Sequence, residues 1–301
     1  MQVRLESSRN FHSQVVHQTV SQIMVGIVIL NFNNSAQTLG CLDTLYRHCK
    51  GDNYRICVVD NASRPEQAES LKAGLVHGEH LIVSPQNGGY ARGNDLGCEY
   101  FDTIDEIDEI LILNDDTRFT EDVVSPMQEY LDTHPRCGVV FPLVVAPDGR
   151  IDRACARRSK TWKDLALQAT CLGKLSIRRN EFLPLEGLRD NDEVRTQVPP
   201  GSCMMLRKDV FRRLGWLDPG TFLYFEEHIL SEKLKRENLE CVLLPRIQIV
   251  HLGAQTTAQQ KGNVIYRHWR QSYLYYLREY SGMPAALRSI LRFRTWLRTL
   301  R

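Results

Sequence analysis

The sequence predicts an α/β fold with a mostly parallel central sheet, on the evidence of three repeated features. Short runs of branched aliphatic residues, such as 24–30 and 110–113, have the length and composition of buried strands. Each run is followed by polar or glycine-rich residues and then by a segment with helical spacing of its apolar residues. Such alternation is typical of parallel sheets with right-handed crossovers, which bind ligands at their carboxyl edge.

The predicted elements follow in order along the chain. In the first half, strands are predicted over 24–30, 55–59, 81–83 and 109–113, and helices over 35–49, from 65 onward and over 90–101. In the second half, strands are predicted over 137–145, 198–206, 241–244 and 248–251, and helices over 208–214, 226–238 and 264–301. The basic segment 151–191 is weakly patterned and is interpreted as an excursion over the site.

Three regions organise the chain. Residues 1–23 form a polar extension, 24–260 a catalytic domain and 261–301 a basic, amphipathic helical segment. A net charge of +2 with 25% charged residues is ordinary for a soluble globule and argues against a nucleic-acid partner. Nine scattered cysteines without zinc spacing favour a reducing compartment. With no apolar leader and no spanning run, we expect a cytoplasmic protein.

Polar side chains end three of the predicted strands, at 31–34, at Asp60-Asn61 and at 114–116. Asp60 could bind a nucleobase or ribose, or cap a turn. The adjacent carboxylates of Asp115 and Asp116 repel each other unless a cation or a donor lies between them. The alternative is that they are turn or helix-cap acids, since Asp is favoured at both places.

A glycine-rich stretch over 87–94 precedes the third helix and contains Arg92. Glycines permit close backbone approach, and a helix N-terminus favours an anion such as a diphosphate. The GxGxxG spacing directly after the first strand is missing, which disfavours a dinucleotide-binding fold.

Together these segments resemble family 2 glycosyltransferases of the GT-A fold, in particular their bacterial rhamnosyltransferase-like branch. The motifs occur in the family's order over about 24–255, and they read IVILNFNN, VVDNAS, NGGYARGNDLG, ILILNDD, PPGSCMMLRKDVFRRLGWLDPGTFLYFEE and VHLG. The resemblance implies an inverting enzyme that uses a nucleotide-diphospho-sugar donor and a divalent cation. Mg²⁺ and Mn²⁺ prefer oxygen ligands such as carboxylates and diphosphates.

The resemblance also assigns roles to residues. The family's metal motif, usually NPD, falls on Asn114-Asp115-Asp116, which makes Asp116 the direct metal ligand and puts Asp115 at the proline position. His251 matches a histidine that serves as a further metal ligand, and Asp60 the nucleobase contact. The full set of expected nucleotide-sugar contacts is Asn31, Asn33, Asp60, Asn61, Asn87, Arg92, Asn94, Asn114, Asp115, Gly201 and Ser202.

The general base is expected within the acid pair at the start of the predicted 226–238 helix. Relatives carry Glu-Asp there, with the Asp as the base, whereas this chain has Glu227 at that position and Glu226 before it. Glu226 or His228 could contribute, and both acids could instead complement a helix dipole. Upstream of these acids, Trp216 could stack on a sugar or simply pack, and Asp218 is a candidate acceptor contact.

The tail over 264–301 is aromatic and basic. A helix of this kind is typical of a membrane-surface anchor, and the alternatives are packing on the catalytic domain or on a second subunit of a homodimer. Family members often act on lipid-linked acceptors at the inner membrane, which favours the membrane.

The expected function is transfer of a sugar to a saccharide or lipid-linked acceptor in cell-surface polysaccharide synthesis. Rhamnose from a dTDP donor is the first choice, and UDP- and GDP-sugars stay open. One alternative is a sugar-nucleotide nucleotidyltransferase, but the basic glycine-rich loop it needs after the first strand is replaced by 31–34. The other is a non-catalytic sugar-nucleotide or polysaccharide-binding module, which retention of Asp116, Glu227 and His251 disfavours.

Overall fold

The computed structural model describes residues 23–168, 182–184, 186–253 and 262–297. The predicted N-terminal extension therefore lies almost wholly outside the described residues, and so does the predicted boundary at 260/261. Part of the predicted excursion over 151–191 is outside them as well. The cysteines of the described part are all buried free thiols.

One nine-stranded sheet runs through the molecule in the order β3-β2-β1-β4-β8-β6-β9-β5, with β7 paired to β9. The strands are β1 Met24–Asn31, β2 Tyr54–Asp60, β3 His80–Val83, β4 Ile107–Asn114, β5 Thr117–Phe119, β6 Cys137–Val145, β7 Val194–Thr196, β8 Cys203–Arg207 and β9 Glu240–His251. The strands β1 to β4 pair in parallel, as the alternating pattern predicts. The other half is mixed, because β8 runs antiparallel to both β4 and β6.

Helices cover the sheet and extend beyond it. Those in the described residues are α1 Ser35–His48, α2 Pro65–Gly74, α3 Gly89–Asp102, α4 Val124–Thr133, α5 Trp162–Gln168, α6 Lys208–Arg213, α7 Glu226–Arg236, α8 Gly262–Glu279 and α9 Ala285–Leu297. The described part of the predicted excursion contains α5 and two 3₁₀ turns, Arg153–Cys155 and Leu188–Asp190. The predicted α/β class is confirmed.

The parallel register brings the polar strand ends to one edge. Asn31 lies opposite Asp60 across β1 and β2, and Leu30 lies opposite Asn114 across β1 and β4. The strands themselves are almost wholly buried and aliphatic, so a one-residue slip would turn their side chains to the wrong face. Hydrophobic burial therefore fixes the alignment of the polar ends.

Small residues set the position of α3 on this sheet. A methyl group on Gly97 would lie 2.5 Å from Cγ1 of Val28, and one on Gly93 would lie 2.5 Å from Cδ1 of Leu30. Both glycines therefore let the helix lie close against β1. The close packing holds the start of α3 beside the ends of β1 and β2.

The strand β9 is longer than the sequence indicates. Two strands were predicted, over 241–244 and 248–251, whereas the structure has one strand, Glu240–His251. Its pairing with β6 shifts register between Pro142 and Leu143, which accommodates the polar break in the pattern. The last residues of β9 then pair with β5.

The C-terminal segment forms two helices rather than one. The chain turns between α8 and α9 at Gly282, whose φ is +64°, and at Pro284. Buried residues of both helices join Ile229 of α7 in a second apolar cluster, so α8 packs on α7. No helix in the described ranges has the length and apolar character needed to cross a bilayer.

A buried carboxylate ties α8 to the loop before α7. Asp218 accepts hydrogen bonds from the hydroxyl of Tyr275, at 3.0 and 3.1 Å, and from that of Tyr280. The backbone N–H of Gly220 donates to the same carboxylate at 2.8 Å. Two of these donors come from the C-terminal segment, so that segment is part of the folded domain.

We expect replacement of Tyr275 and Tyr280 by Phe in one variant to lower the free energy of unfolding by about 2–4 kcal/mol, because a buried carboxylate loses two donors. Urea unfolding measures the change. Tyr100→Phe is the control, since its hydroxyl makes no hydrogen bond in the described structure. Equal stability of the double variant and the control would contradict the role given to Asp218.

Candidate active site

The acid pair lies in the turn between β4 and β5. Asp115 and Asp116 are both buried, which is costly for two neighbouring carboxylates. Burial, with the charge of Asp116, raises the pKa of Asp115 to about 7, and the nearby guanidinium of Arg118 acts against that rise. Arg118 is held in place by the carbonyls of Asp115 and Thr117, at 3.2 and 2.8 Å.

His251 is brought to Asp116 by strand pairing. In the antiparallel register of β5 and β9, Thr117 lies opposite His251, and the N–H of Leu252 donates to the carbonyl of Asp116 at 3.0 Å. As a result, Nε2 of His251 lies 3.1 Å from Oδ1 of Asp116. Burial acts to lower the pKa of His251, but the contact with Asp116 and the charges of Asp152 and Asp115 outweigh it and raise the pKa.

These two residues fit a divalent cation. Oδ1 of Asp116 is buried and accepts no hydrogen bond of good geometry within the described residues, despite the proximity of His251. An oxygen of this kind is suited to a metal ion. In the described ranges no three His, Cys, Asp or Glu side chains gather as ligands, so a cation here would take its other ligands from substrate or water.

The ends of β1 and β2 form a hydrogen-bonded network. The amide of Asn31 donates to Oδ1 of Asp60 at 2.8 Å and to the hydroxyl of Ser63 at 3.1 Å. Asn33 has a φ of +54°, and its side chain accepts from the N–H of Arg64 at 2.8 Å. The structure thus brings the three predicted nucleotide contacts Asn31, Asn33 and Asp60 together, and their contact with a nucleotide stays a prediction.

Asn61 organises the glycine-rich turn. Its amide nitrogen donates to Oδ1 of Asn87 and to the carbonyl of Gly89, both at 3.0 Å, and its Oδ1 accepts from the N–H of Gly88 at 3.0 Å. The two remaining predicted contacts of this stretch are placed differently. Arg92 pairs with Glu99 on the exposed face of α3, and Asn94 is fully buried against the carbonyl of Tyr90.

Gly89 is required by its surroundings. Its φ is +78°, and a methyl group on it would lie 2.1 Å from the carbonyl oxygen of Phe222. That oxygen accepts a hydrogen bond from the N–H of Tyr90 at 2.8 Å. The start of α3 is therefore joined to the loop that leads into α7.

The loop before β8 meets the acid turn. The carbonyl of Ser202 accepts from the N–H of Asn114 at 2.9 Å and from the hydroxyl of Thr117 at 3.3 Å. On the other side of the same loop, a methyl group on Gly201 would lie 2.5 Å from Oε1 of Glu227. Gly201 and Ser202 therefore connect the acid turn to the predicted base.

The two predicted base candidates differ in environment. Glu226 is buried, and burial together with the charge of Glu227 raises its pKa. Glu227 is half-buried and lies beside Gly201. His228 is also buried, which lowers its pKa and, with Arg157 and Lys160 nearby, favours the neutral ring. Of the three, Glu227 has the access that an incoming acceptor requires.

The backbone before these acids adopts an unusual conformation. Tyr224 and Phe225 both have a φ of +74°, in the left-handed region that non-glycine residues rarely occupy. The ring of Phe225 lies 5.4–6.1 Å from three rings of α8, those of Trp269, Tyr273 and Tyr276. These contacts stabilise the strained turn that sets the direction of Glu227.

The two weaker acceptor candidates have structural contacts. The ring of Trp216 packs edge-on against Phe211, and its carbonyl accepts from Nζ of Lys233 at 3.0 Å. Asp218 binds the tyrosines of α8, as described above. A contact of either residue with an acceptor stays a prediction, and these packing roles are the ones that the structure provides.

Sequence reasoning missed three residues at the site. The hydroxyl of Tyr90 donates to the carbonyl of Gly201 at 2.5 Å, Phe222 supplies the carbonyl that meets Gly89, and Arg118 lies beside Asp115. Tyr90 is inside the glycine-rich motif, and the aromatic residues before Glu226 form a visible cluster, so both had a local signal. Arg118 had none beyond its proximity to the acids.

Solved structures with the same arrangement are GT-A glycosyltransferases. GalNAc-T7 with UDP, GalNAc and Mn²⁺ superimposes with a TM-score of 0.57 over 91% of this chain and 54% of that chain, at 14% identity. The mannosyltransferase PcManGT from Pyrobaculum calidifontis, in complex with GDP-Man and Mn²⁺, gives 0.56 over 92% and 73%, at 13% identity. The fold is therefore of the GT-A class.

The family follows from the sequence match. Residues 26–215, more than half of the chain, match Glycosyl transferase family 2, so the chain belongs to that family. The low-salt glycan biosynthesis hexosyltransferase Agl10 of Haloferax volcanii is 23% identical over 75% of this chain and 66% of its own length. An N-acetylglucosaminyl-diphospho-decaprenol L-rhamnosyltransferase of Mycobacterium tuberculosis is 24% identical over 62% and 60%. The chain thus spans less than two thirds of either relative.

We expect Gly89→Ala to lower the stability of the protein by more than the usual cost of an alanine at positive φ. Any alanine in this conformation costs about 1–2 kcal/mol, and here the methyl group must also displace the carbonyl of Phe222. Gly149→Ala is the matched control, because Gly149 has a φ of +80° with open space around it. Thermal unfolding of both variants would show a clearly larger loss for Gly89→Ala, and equal losses would contradict the importance of this contact.

Proposed function

We propose that this enzyme is an inverting, metal-dependent transferase that moves a sugar from a nucleotide-diphosphate donor to a saccharide or lipid-linked acceptor. The observation that carries the proposal is the connection through Gly201 and Ser202. Ser202 binds the turn that contains Asp116, and Gly201 lies against Glu227. One short loop therefore lies between Asp116, a carboxylate suited to a metal ion, and Glu227, an accessible carboxylate. An inverting transfer needs one group of each kind.

In this proposal, Asp116 and His251 would hold a Mg²⁺ or Mn²⁺ ion, which would supply positive charge to the leaving diphosphate. Asp115, beside Asp116, lines the same turn, and the polar ends of β1 and β2 with the Asn61 network receive the nucleoside. Asn61 and Asn87 fix the start of α3 through hydrogen bonds. Arg92 and Asn94 have no contact with the acid turn within the described residues, so we assign them no direct part.

Glu227 is the general base. Its carboxylate accepts the proton of the acceptor hydroxyl while that oxygen forms a bond to the anomeric carbon of the donor. The bond from this carbon to the diphosphate oxygen breaks, and its electron pair leaves with the nucleoside diphosphate. Attack from the face opposite the diphosphate inverts the anomeric configuration. Glu226 beside it is buried, and burial together with the charge of Glu227 raises its pKa and so favours its neutral form.

The donor and the setting are inferred from the relatives. The Mycobacterium tuberculosis protein is a rhamnosyltransferase that acts on a diphospho-decaprenol, and the Haloferax volcanii protein is a hexosyltransferase of glycan biosynthesis. We therefore propose a lipid-linked acceptor in cell-surface glycan synthesis, with dTDP-rhamnose as the first donor to test and UDP- and GDP-sugars next. The C-terminal helices would place the enzyme at the cytoplasmic face of the membrane.

A donor panel tests the reaction class. We expect nucleoside diphosphate release from one of the dTDP-, UDP- or GDP-sugars, its loss in EDTA and its return with Mn²⁺ or Mg²⁺. Asp116→Asn should weaken Mn²⁺-dependent binding of the nucleoside diphosphate at least about tenfold, or about 1.4 kcal/mol, because a metal ligand is lost. Calorimetry measures this binding, with exposed Asp148→Asn as the control. Release that is insensitive to EDTA would contradict the metal.

A pair of isosteric variants tests the base. Glu227→Gln should lower turnover at least about a hundredfold while donor binding is retained, because a positioned general base contributes about 10²–10⁴-fold. Glu226→Gln should cost much less, since Gln resembles a protonated buried acid. Turnover is measured with saturating donor, and donor affinity separately. A larger loss in Glu226→Gln than in Glu227→Gln would reverse the assignment.

A further inference from the structure

Helix α9 has two apolar faces. Leu287, Leu291 and Thr295 face the rest of the protein, and Leu291 is part of the buried C-terminal cluster. On the opposite side, Ala286, Ile290, Phe293 and Leu297 follow one another at helical spacing, with Trp296 beside them, and all are exposed. A helix that only packs on its own domain needs the first face but not the second.

The second face contains four exposed large hydrophobic side chains close together, which we call the exposed stripe. They are Ile290, Phe293, Trp296 and Leu297. These four side chains are 59%, 59%, 45% and 44% exposed. The other large hydrophobic residues that are exposed in the described part of the chain, Val76, Val83 and Leu167, come from three separate segments. Contiguous exposed apolar side chains, unlike scattered ones, mark an interaction surface.

Four arginines line the groove between α8 and α9. They are Arg270 and Arg278 of α8 and Arg288 and Arg292 of α9. Nε of Arg278 pairs with the carboxylate of Glu279, and no acid is among the described residues that line the groove itself. Nε of Arg270 donates to the hydroxyl of Thr295 at 3.2 Å, and Nη1 of Arg288 donates to the carbonyl of Arg278 at 3.0 Å. Two of the guanidinium groups are therefore held on neutral acceptors, which leaves their charge uncompensated there.

The stripe and the groove adjoin each other. At 3.6 residues per turn, Arg292 falls on one border of the stripe and Arg294 on the other. An apolar stripe bordered by arginines matches the boundary between the acyl chains and the phosphates of a bilayer. In such a layer the rings enter the headgroup region and each guanidinium reaches phosphate oxygens, to which its fork of donors is suited.

A second copy of the chain is a poorer occupant. A stable interface uses about 20–30 residues from each side, whereas the stripe has four large side chains. A two-fold contact through α9 would also bring the arginines of one copy against those of the other. Charge complementarity instead selects a surface that is both apolar and negatively charged.

We propose that α9 docks on a membrane of anionic phospholipids, with the stripe in the interfacial layer and the four-arginine groove on the headgroup phosphates. The proposal refines the membrane placement in the proposed function, on which it rests, by naming the lipid chemistry and the residues. Because α8 holds the turn before Glu227, docking through α9 also brings the active site close to a lipid-linked acceptor.

Vesicle flotation of the full-length chain tests this docking. We expect binding to vesicles that combine phosphatidylglycerol with phosphatidylcholine, little binding to phosphatidylcholine alone and weaker binding at high salt. Arg288→Gln with Arg292→Gln should lower partitioning onto the anionic vesicles at least about tenfold, because each arginine near the surface contributes about fivefold. Phe293→Ser with Trp296→Ser should lower it at least as much. The matched controls are Arg150→Gln with Arg213→Gln and Val76→Ser with Val83→Ser, which change exposed residues elsewhere.

Three results would overturn the proposal. These are equal binding to neutral and anionic vesicles, unchanged binding by either α9 variant, and loss of a dimer on changing the stripe. Inorganic phosphate at constant ionic strength separates a free-phosphate site from a lipid surface, because only a small-ion site would be saturated by it. Nucleoside diphosphate binding with Mn²⁺ should be the same in all variants, so a failure of docking is distinguishable from a failure of the proposed reaction.

Discussion

Tyr90 makes the two hydrogen bonds on which the arrangement of the site depends. Its N–H binds the carbonyl of Phe222 at 2.8 Å, and its hydroxyl binds the carbonyl of Gly201 at 2.5 Å. One residue at the start of α3 thus joins the loop before the proposed base to the loop that contacts the acid turn. The approach is possible only because Gly89 has no side chain at the point where Phe222 passes.

The positions of Asp116 and His251, the proposed metal ligands, follow from strand pairing. The position of Glu227, the proposed base, follows from helix packing. The register of β5 and β9 places His251 next to the turn that contains Asp116, so pairing of two buried strands sets that geometry. Glu227, by contrast, follows two residues in left-handed conformations that aromatic rings of α8 stabilise. Gly201 and Ser202 therefore connect the acid turn, which is fixed by strand pairing, to Glu227, which follows a strained turn.

Local sequence patterns predict much of the fold and part of the candidate site. Alternation of apolar runs and polar ends predicts the parallel strands, and the acids and the glycine-rich turn stand out in the sequence because each follows a predicted strand. Glu227 is predicted through the resemblance to the family. Long-range contacts have no such signal. The single β9 strand depends on a register shift against β6, Asp218 is bound by tyrosines some sixty residues away, and Arg92 turns to Glu99 rather than to the site.

The enclosure of Phe225 by α8 bears on how this enzyme could be shortened. The family match ends at residue 215, but removal of only the residues from 262 onward would already take away the rings that surround Phe225 and the hydroxyls that bind Asp218. The shortened chain would retain Asp116, Glu227 and His251 but would lack the side chains that pack on the turn before Glu227. The C-terminal helices lie outside the family match, yet the proposed active site depends on their contacts. A functional version of the protein must therefore keep them.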